Sequence, residues 1–124
     1  MSANNRIVSI IDDDPGTTMF FHEALRSIPG ITIFTFTDPV LALEHFQDNG
    51  YAYVALISDF NMPGLNGMEF LKKIKDLNRF VRTILMTAFE IDDNLFHEYT
   101  KRKIINGFLQ KPIGFHDLIK EVNT

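Results

Sequence analysis

The stretch Tyr53-Val54-Ala55-Leu56-Ile57-Ser58-Asp59-Phe60-Asn61-Met62-Pro63-Gly64 decides how this chain is read. Its first five residues are apolar without alternation, the pattern of a strand buried on both faces, as in a parallel sheet. An aspartate stands just past the end of the apolar run, and Pro63-Gly64 marks a turn soon after. Ile7 to Ile11 is nearly continuous in the same way, and it too runs into acid, at Asp12-Asp13-Asp14-Pro15. Three weaker runs, Ile31 to Phe36, Thr83 to Met86 and Gly107 to Leu109, complete a set of five expected strands.

Helical patterns fill the gaps. Phe20, Ala24 and Ile28 recur after Pro15, and Val40, Leu43 and Phe46 follow Asp38-Pro39, a cap with proline in the first turn. Phe70, Leu71, Ile74 and Leu77 follow Asn66-Gly67, and Phe115, Leu118, Ile119 and Val122 form the last stripe. The stretch from Ile91 to Tyr99 is the least regular helix, with Ile91, Leu95 and Tyr99 expected on one side. Strand and helix alternate five times, so the fold expected is an α/β sandwich with right-handed crossovers and helices on both faces of a parallel sheet.

The bulk properties narrow the function. A length of 124 residues suits one domain, residues 1–124 with a core over about 6–123 and no effector domain. A net charge of −4 argues against direct nucleic-acid binding, and the basic run Lys101-Arg102-Lys103 reads as a solvated helix face. With no cysteine, disulfides and thiolate metal sites are excluded. The start, Met1-Ser2-Ala3-Asn4-Asn5-Arg6, has no signal-peptide character, and no apolar run is long enough to span a bilayer. A cytoplasmic protein without membrane contact is expected.

Ligands of open parallel sheets sit outside the carboxyl ends of the strands. The loops there hold Asp12, Asp13, Asp59, Thr87-Ala88 and Lys111-Pro112. With strand one beside strand three, the three carboxylates meet, and their repulsion calls for a hard divalent cation, with magnesium the best match. A lysine, a hydroxyl and that cation around one carboxylate make a phosphoryl pocket, and Asp59 is the carboxylate placed to act as nucleophile.

This ordered set resembles the response-regulator receiver domains (CheY-like) of two-component signalling, over essentially the whole chain from Ile7 to Val122. The resemblance implies a flavodoxin-like (βα)5 three-layer sandwich with a five-stranded parallel sheet of order 2-1-3-4-5, two helices on one face and three on the other. It implies that Asp59 is the phosphoacceptor. Asp13, Asp59 and the backbone carbonyl of Asn61 would hold Mg2+, with Mn2+ as the substitute, and Asp12 would act through a water. Lys111 would pair with Asp59 and then with the phosphate, Thr87 and Ala88 would meet the phosphate, and Phe108 would move from an exposed to a buried rotamer. A sensor histidine kinase or phosphotransfer protein would supply the phosphoryl group. A downstream protein would read the helix-four, strand-five, helix-five surface, with the chain a monomer or a phosphorylation-linked dimer. Beyond self-phosphorylation and autodephosphorylation, no enzyme activity is expected.

Some positions depart from the family pattern. Thr100 to Gly107 replaces the usual small-residue turn before strand five, so helix four is expected to be longer, shifted or irregular. Phe108 lacks a tyrosine hydroxyl. Asn61 and Phe89 flank the path of the hydrolytic water, and the bulk of Phe89 is expected to prolong the phosphorylated state. Plainer readings stand beside these. Asp14 is a helix cap, Asp59 could be a turn aspartate, Thr87 a strand end, Phe108 plain core and Lys111 a solvated side chain. His22, His45, His97 and His116 lie on helices or their starts, so no histidine metal site is expected. The rivals are a haloacid-dehalogenase-like phosphatase, with Asp12 as nucleophile, Asp14 as general acid and Asp92-Asp93 as a late acidic pair, and a non-phosphorylated adaptor on the same fold.

Overall fold

A computed structural model describes residues 6–62, 64–88, 90–91 and 93–123 of the chain. Five strands, β1 (Ile7–Ile11), β2 (Thr32–Phe36), β3 (Tyr53–Asp59), β4 (Arg82–Thr87) and β5 (Gly107–Gln110), form one parallel sheet of order β2-β1-β3-β4-β5. Between them run α1 (Pro15–Leu25), α2 (Pro39–Asn49), α3 (Gly67–Leu77), α4 (Asn94–Lys101) and α5 (Phe115–Val122). The unbroken apolar runs at β1 and β3 have their expected cause, since almost every residue of both strands is buried.

The sheet separates two cores. Val8, Ile10, Ala55, Ile57, Ile84 and Met86 pack against α1 and α5, through Phe21, Leu25 and Leu118. On the other face Ile11, Leu56 and Leu85 meet α2 and α3 through Phe46, Phe70, Leu71 and Ile74, while Phe96 and Tyr99 of α4 pack on half-buried. Adjacent residues of a strand point to opposite faces, so each strand feeds both cores.

Several helix faces are rotated from the expected ones. Phe20, Val40, Leu77, Leu95 and Phe115 are each more than 40% exposed, and the buried stripe of α1 is Phe21, Ala24 and Leu25. An apolar residue on the boundary of a stripe fits an i, i+4 pattern as well as one at its centre, so spacing alone leaves the facing direction open. Helix α4 starts at Asn94, capped by Asp93, rather than at Ile91, and it is Phe96 rather than Leu95 that turns inward. It is short, eight residues, and regular. It ends in a Schellman motif, with Ile104 N–H donating to the Tyr99 carbonyl at 2.8 Å and Lys103 N–H to that of Thr100 at 3.2 Å. Lys103 holds the left-handed position at φ 63°, where glycine is the usual choice.

Candidate phosphoryl site at the carboxyl edge

Sheet register builds the site. Ile11 is paired with Ser58, and Asp59 with Met86, so Asp12 and Asp59 come level at adjoining strand ends. The ladder runs one residue past the strands on both sides: Asp12 N–H donates to Phe36 O at 3.1 Å, Phe60 N–H to Met86 O at 2.7 Å, and Lys111 N–H to Thr87 O at 2.8 Å. Each loop therefore leaves the sheet from a fixed point. Strand order changes direction between β1 and β3, the switch point where open α/β sheets bind ligands.

Carboxylate oxygens of Asp12, Asp13 and Asp59 lie within 4.8 Å of one another. Asp12 is only 1% exposed and Asp59 7%, while Asp13 faces solvent. Lys111 Nζ reaches between the two buried acids, 2.8 Å from Asp12 Oδ2 and 3.2 Å from Asp59 Oδ1. The shorter bond is to Asp12, whereas the resemblance pairs Lys111 with Asp59 first. The other Asp12 oxygen accepts from the Asp14 N–H at 2.9 Å. Burial, then the neighbouring Asp12, push the Asp59 carboxyl above its ordinary value; the hydrogen bond and charge of Lys111 oppose them. Burial works against the charge on Lys111, but the hydrogen bonds and charges of Asp12 and Asp59 outweigh it and raise the ammonium above its usual range.

These groups fit a hard cation by their chemistry: three oxygen-donor side chains converge, with one lysine to offset them. No histidine joins the cluster among the described residues. Thr87 ends β4 with its side chain buried, and Ala88 is exposed just beyond it. Asn61 is exposed two residues past Asp59. Phe108 is half-buried on β5, edge-on to Phe96 of α4 at 5.4 Å between ring centroids. Phe89 and Asp92 lie outside the described residues. A cleft of about 540 Å3 adjoins the site, walled by Phe20, Phe21 and Ile113 and sharing Ala88 and Lys111 with it.

A family model described as the response regulator receiver domain matches residues 8–123. The chain belongs to the response regulator receiver domain family. Receiver domains of this family are the signalling modules of two-component systems. Sporulation initiation phosphotransferase F of Bacillus subtilis (strain 168) is 30% identical over 89 residues, covering 71% of this chain and 69% of that protein. The DNA-binding transcriptional regulator NtrC of Escherichia coli (strain K12) is 29% identical over 113 residues, 91% of this chain but 23% of NtrC. The chain thus spans about a quarter of that regulator's length. A receiver domain protein of Clostridium thermocellum superposes with a TM-score of 0.81 at 24% identity, over 95% of this chain and 91% of that one, and so shares the fold.

The phosphatase alternative finds no support in this receiver. Asp14, its general acid, caps α1 instead, accepting from Gly16 N–H at 3.0 Å and Thr17 Oγ1 at 2.9 Å. Asp93, of the late acidic pair, caps α4, accepting from Phe96 N–H. Pattern reading missed two contributors, the Asp12 partner of Lys111 and Gly67, whose Cα faces the Asp59 backbone. A glycine at the first position of a helix, where proline or a stronger helix former is usual, was the available signal for the latter.

Proposed function

We propose that this receiver is a phosphoacceptor switch in which Asp59 takes a phosphoryl group from a phosphohistidine donor, a sensor histidine kinase or phosphotransfer protein. The supporting observation is the placement of Lys111 Nζ between Asp12 and Asp59 inside a cluster of three carboxylates. An Asp59 oxygen attacks phosphorus, the donor's N–P bond breaks, and its electron pair returns to the imidazole nitrogen, which takes up a proton. Mg2+, or Mn2+ in its place, would be held by Asp13, Asp59 and the Asn61 backbone carbonyl, with Asp12 acting through a water. It supplies charge neutralisation for the equatorial phosphate oxygens. Lys111 binds and orients the phosphate, and Thr87 and Ala88 close on it. Asn61 borders the water that later hydrolyses it.

Loss of the Asp59 charge to a bulkier dianion redistributes Lys111 and Thr87. Phe108 then follows, and because its ring sits edge-on to Phe96, it carries the change to α4. The output surface is α4, β5 and α5, read by a protein partner, with the domain monomeric or dimerising on phosphorylation.

Two measurements test the proposal. A small phosphodonor with Mg2+ should add one phosphoryl group to the wild type and none to Asp59→Asn. Beryllofluoride with Mg2+ should shift the amides of Asp59, Thr87, Phe108 and Lys111. An unmodified wild type, or shifts confined to another edge of the sheet, would end this reading.

A further inference from the structure

We infer that Gly67 is a positioning residue for Asp59, its missing side chain being what lets the start of α3 rest on the acceptor's own carbonyl group; this builds on the reading of Asp59 as phosphoacceptor. Gly67 is the first residue of α3. A Cβ there would stand 3.0 Å from the Asp59 carbonyl carbon and 2.9 Å from Leu85 Cδ1, with the Asp59 carbonyl oxygen nearer still. Ordinary van der Waals contact begins at 3.4 Å. The obstruction is therefore the backbone of the acceptor.

That backbone has nowhere to go. Asp59 is held in register with Met86, and Phe60 N–H donates to Met86 O at 2.7 Å. The helix start is pinned as well. Gly67 N–H donates to Phe60 O at 2.8 Å, and Asn66 and Glu69 form a reciprocal cap, Glu69 N–H to Asn66 Oδ1 at 2.9 Å and Asn66 Nδ2 to Glu69 Oε1 at 2.8 Å. The connection from Phe60 to Gly67 is thereby tied at both ends, and Asn61 lies within it. Gly67 is not among the glycines with positive φ, Gly30 and Gly64, so its requirement is steric rather than conformational. Of the seven glycines, Gly107 is the other tightly hemmed one, but what a Cβ would meet there is the Glu121 carboxylate and the Arg82 guanidinium, the ends of flexible side chains. Gly67 alone is crowded by backbone.

The test compares Gly67→Ala with Ile74→Ala, a fully buried core position two turns further along the same helix. Phosphoryl uptake from a small donor, the Mg2+ dissociation constant by titration, and backbone NMR shifts at Asp59 to Asn61 are read on folded protein. A misplacement near 1 Å costs on the order of 100-fold in rate, and disturbed support of a metal site costs about 10-fold or more in affinity. Gly67→Ala should show both losses and displaced shifts at Asp59 to Asn61. Ile74→Ala should lower Tm while keeping uptake and Mg2+ affinity within about threefold of the wild type, well short of those losses. Wild-type values for Gly67→Ala, or equal losses in Ile74→Ala, overturn the inference. If the wild type itself takes up no phosphoryl group, the reading of Asp59 fails, and the Mg2+ affinity and NMR shifts still decide the role of Gly67. Should Gly67→Ala not fold alone, it is measured in a Lys103→Gly background, which relieves the left-handed lysine after α4.

Discussion

Replacing Lys111 with methionine keeps the aliphatic stem and removes the one charge seen between Asp12 and Asp59. At 2.8 Å and 3.2 Å, and with an effective dielectric constant near 20, the two attractions are worth about 6 and about 5 kcal/mol gross. Most of that is offset by the desolvation of the ammonium. Removing one partner of a buried pair costs about 3–5 kcal/mol, and the side chain's 25% exposure places this case near the low end, about 3 kcal/mol. In a domain this size that is a fall in Tm of roughly 10 °C. The pH dependence gives a second axis. The raised ammonium of Lys111 contributes stability that is fully present below about pH 10.5 and is lost as pH climbs through its higher folded value. The carboxyl of Asp59 is also raised, so the folded state binds its proton more tightly, and stability falls as pH rises through and above 3.8. Without Lys111 that fall is steeper. The cost of Lys111→Met should therefore be largest near pH 7 and shrink towards pH 4, and millimolar Mg2+ should recover part of it. Urea unfolding at both pH values, with and without Mg2+, is the assay. A midpoint unchanged at pH 7, or a deficit of equal size at pH 4, refutes the reasoning.

Lys103→Gly should stabilise the fold by about 1 kcal/mol, because the C-terminal position of the Schellman motif is left-handed, and thermal unfolding reads this as a gain of a few degrees. Tyr53→Phe removes a hydroxyl hydrogen-bonded to Ser9 Oγ at 2.5 Å and to His45 Nδ1 at 2.6 Å. Ser9 is fully buried, so a loss of about 1–3 kcal/mol in urea unfolding is expected. Asp14 is held below the usual carboxylate value by the Thr17 hydroxyl first and the Gly16 N–H second. Its contribution is present above about pH 3.8 and is lost as pH falls through the folded value, so Asp14→Ala should lower Tm at pH 7 and converge with wild type in acid.

Strands β1 and β3 were legible because apolar runs such as Ile7 to Ile11 reflect burial on both faces, which few other local structures demand. The strand order was legible only through the family resemblance, β2 and β5 being partly exposed and weaker in pattern. The acidic cluster was legible for a related reason, since carboxylates directly after such strands must gather at one edge. Helix faces were less so. Phe20 and Phe115 look like core by spacing, yet their rings pack on each other at 4.8 Å on the surface. The Lys111–Asp12 bond depends on an approach across 99 positions of chain, which no local pattern encodes. The role of Gly67 depends on where a Cβ would have been; a glycine opening a helix hints at a close approach, but not at which backbone it approaches.

Helix α4 has no fully buried side chain, and its hold on the sheet is the half-buried pair Phe96 and Tyr99. Little apolar area is surrendered when it detaches, so its opening free energy sits at the low end of the domain's range and its amides should exchange with deuterium ahead of those in α3. A segment so lightly moored needs only a small push. On the reading of Asp59 as phosphoacceptor, a charge added at the end of β3 would then change how long that helix spends docked.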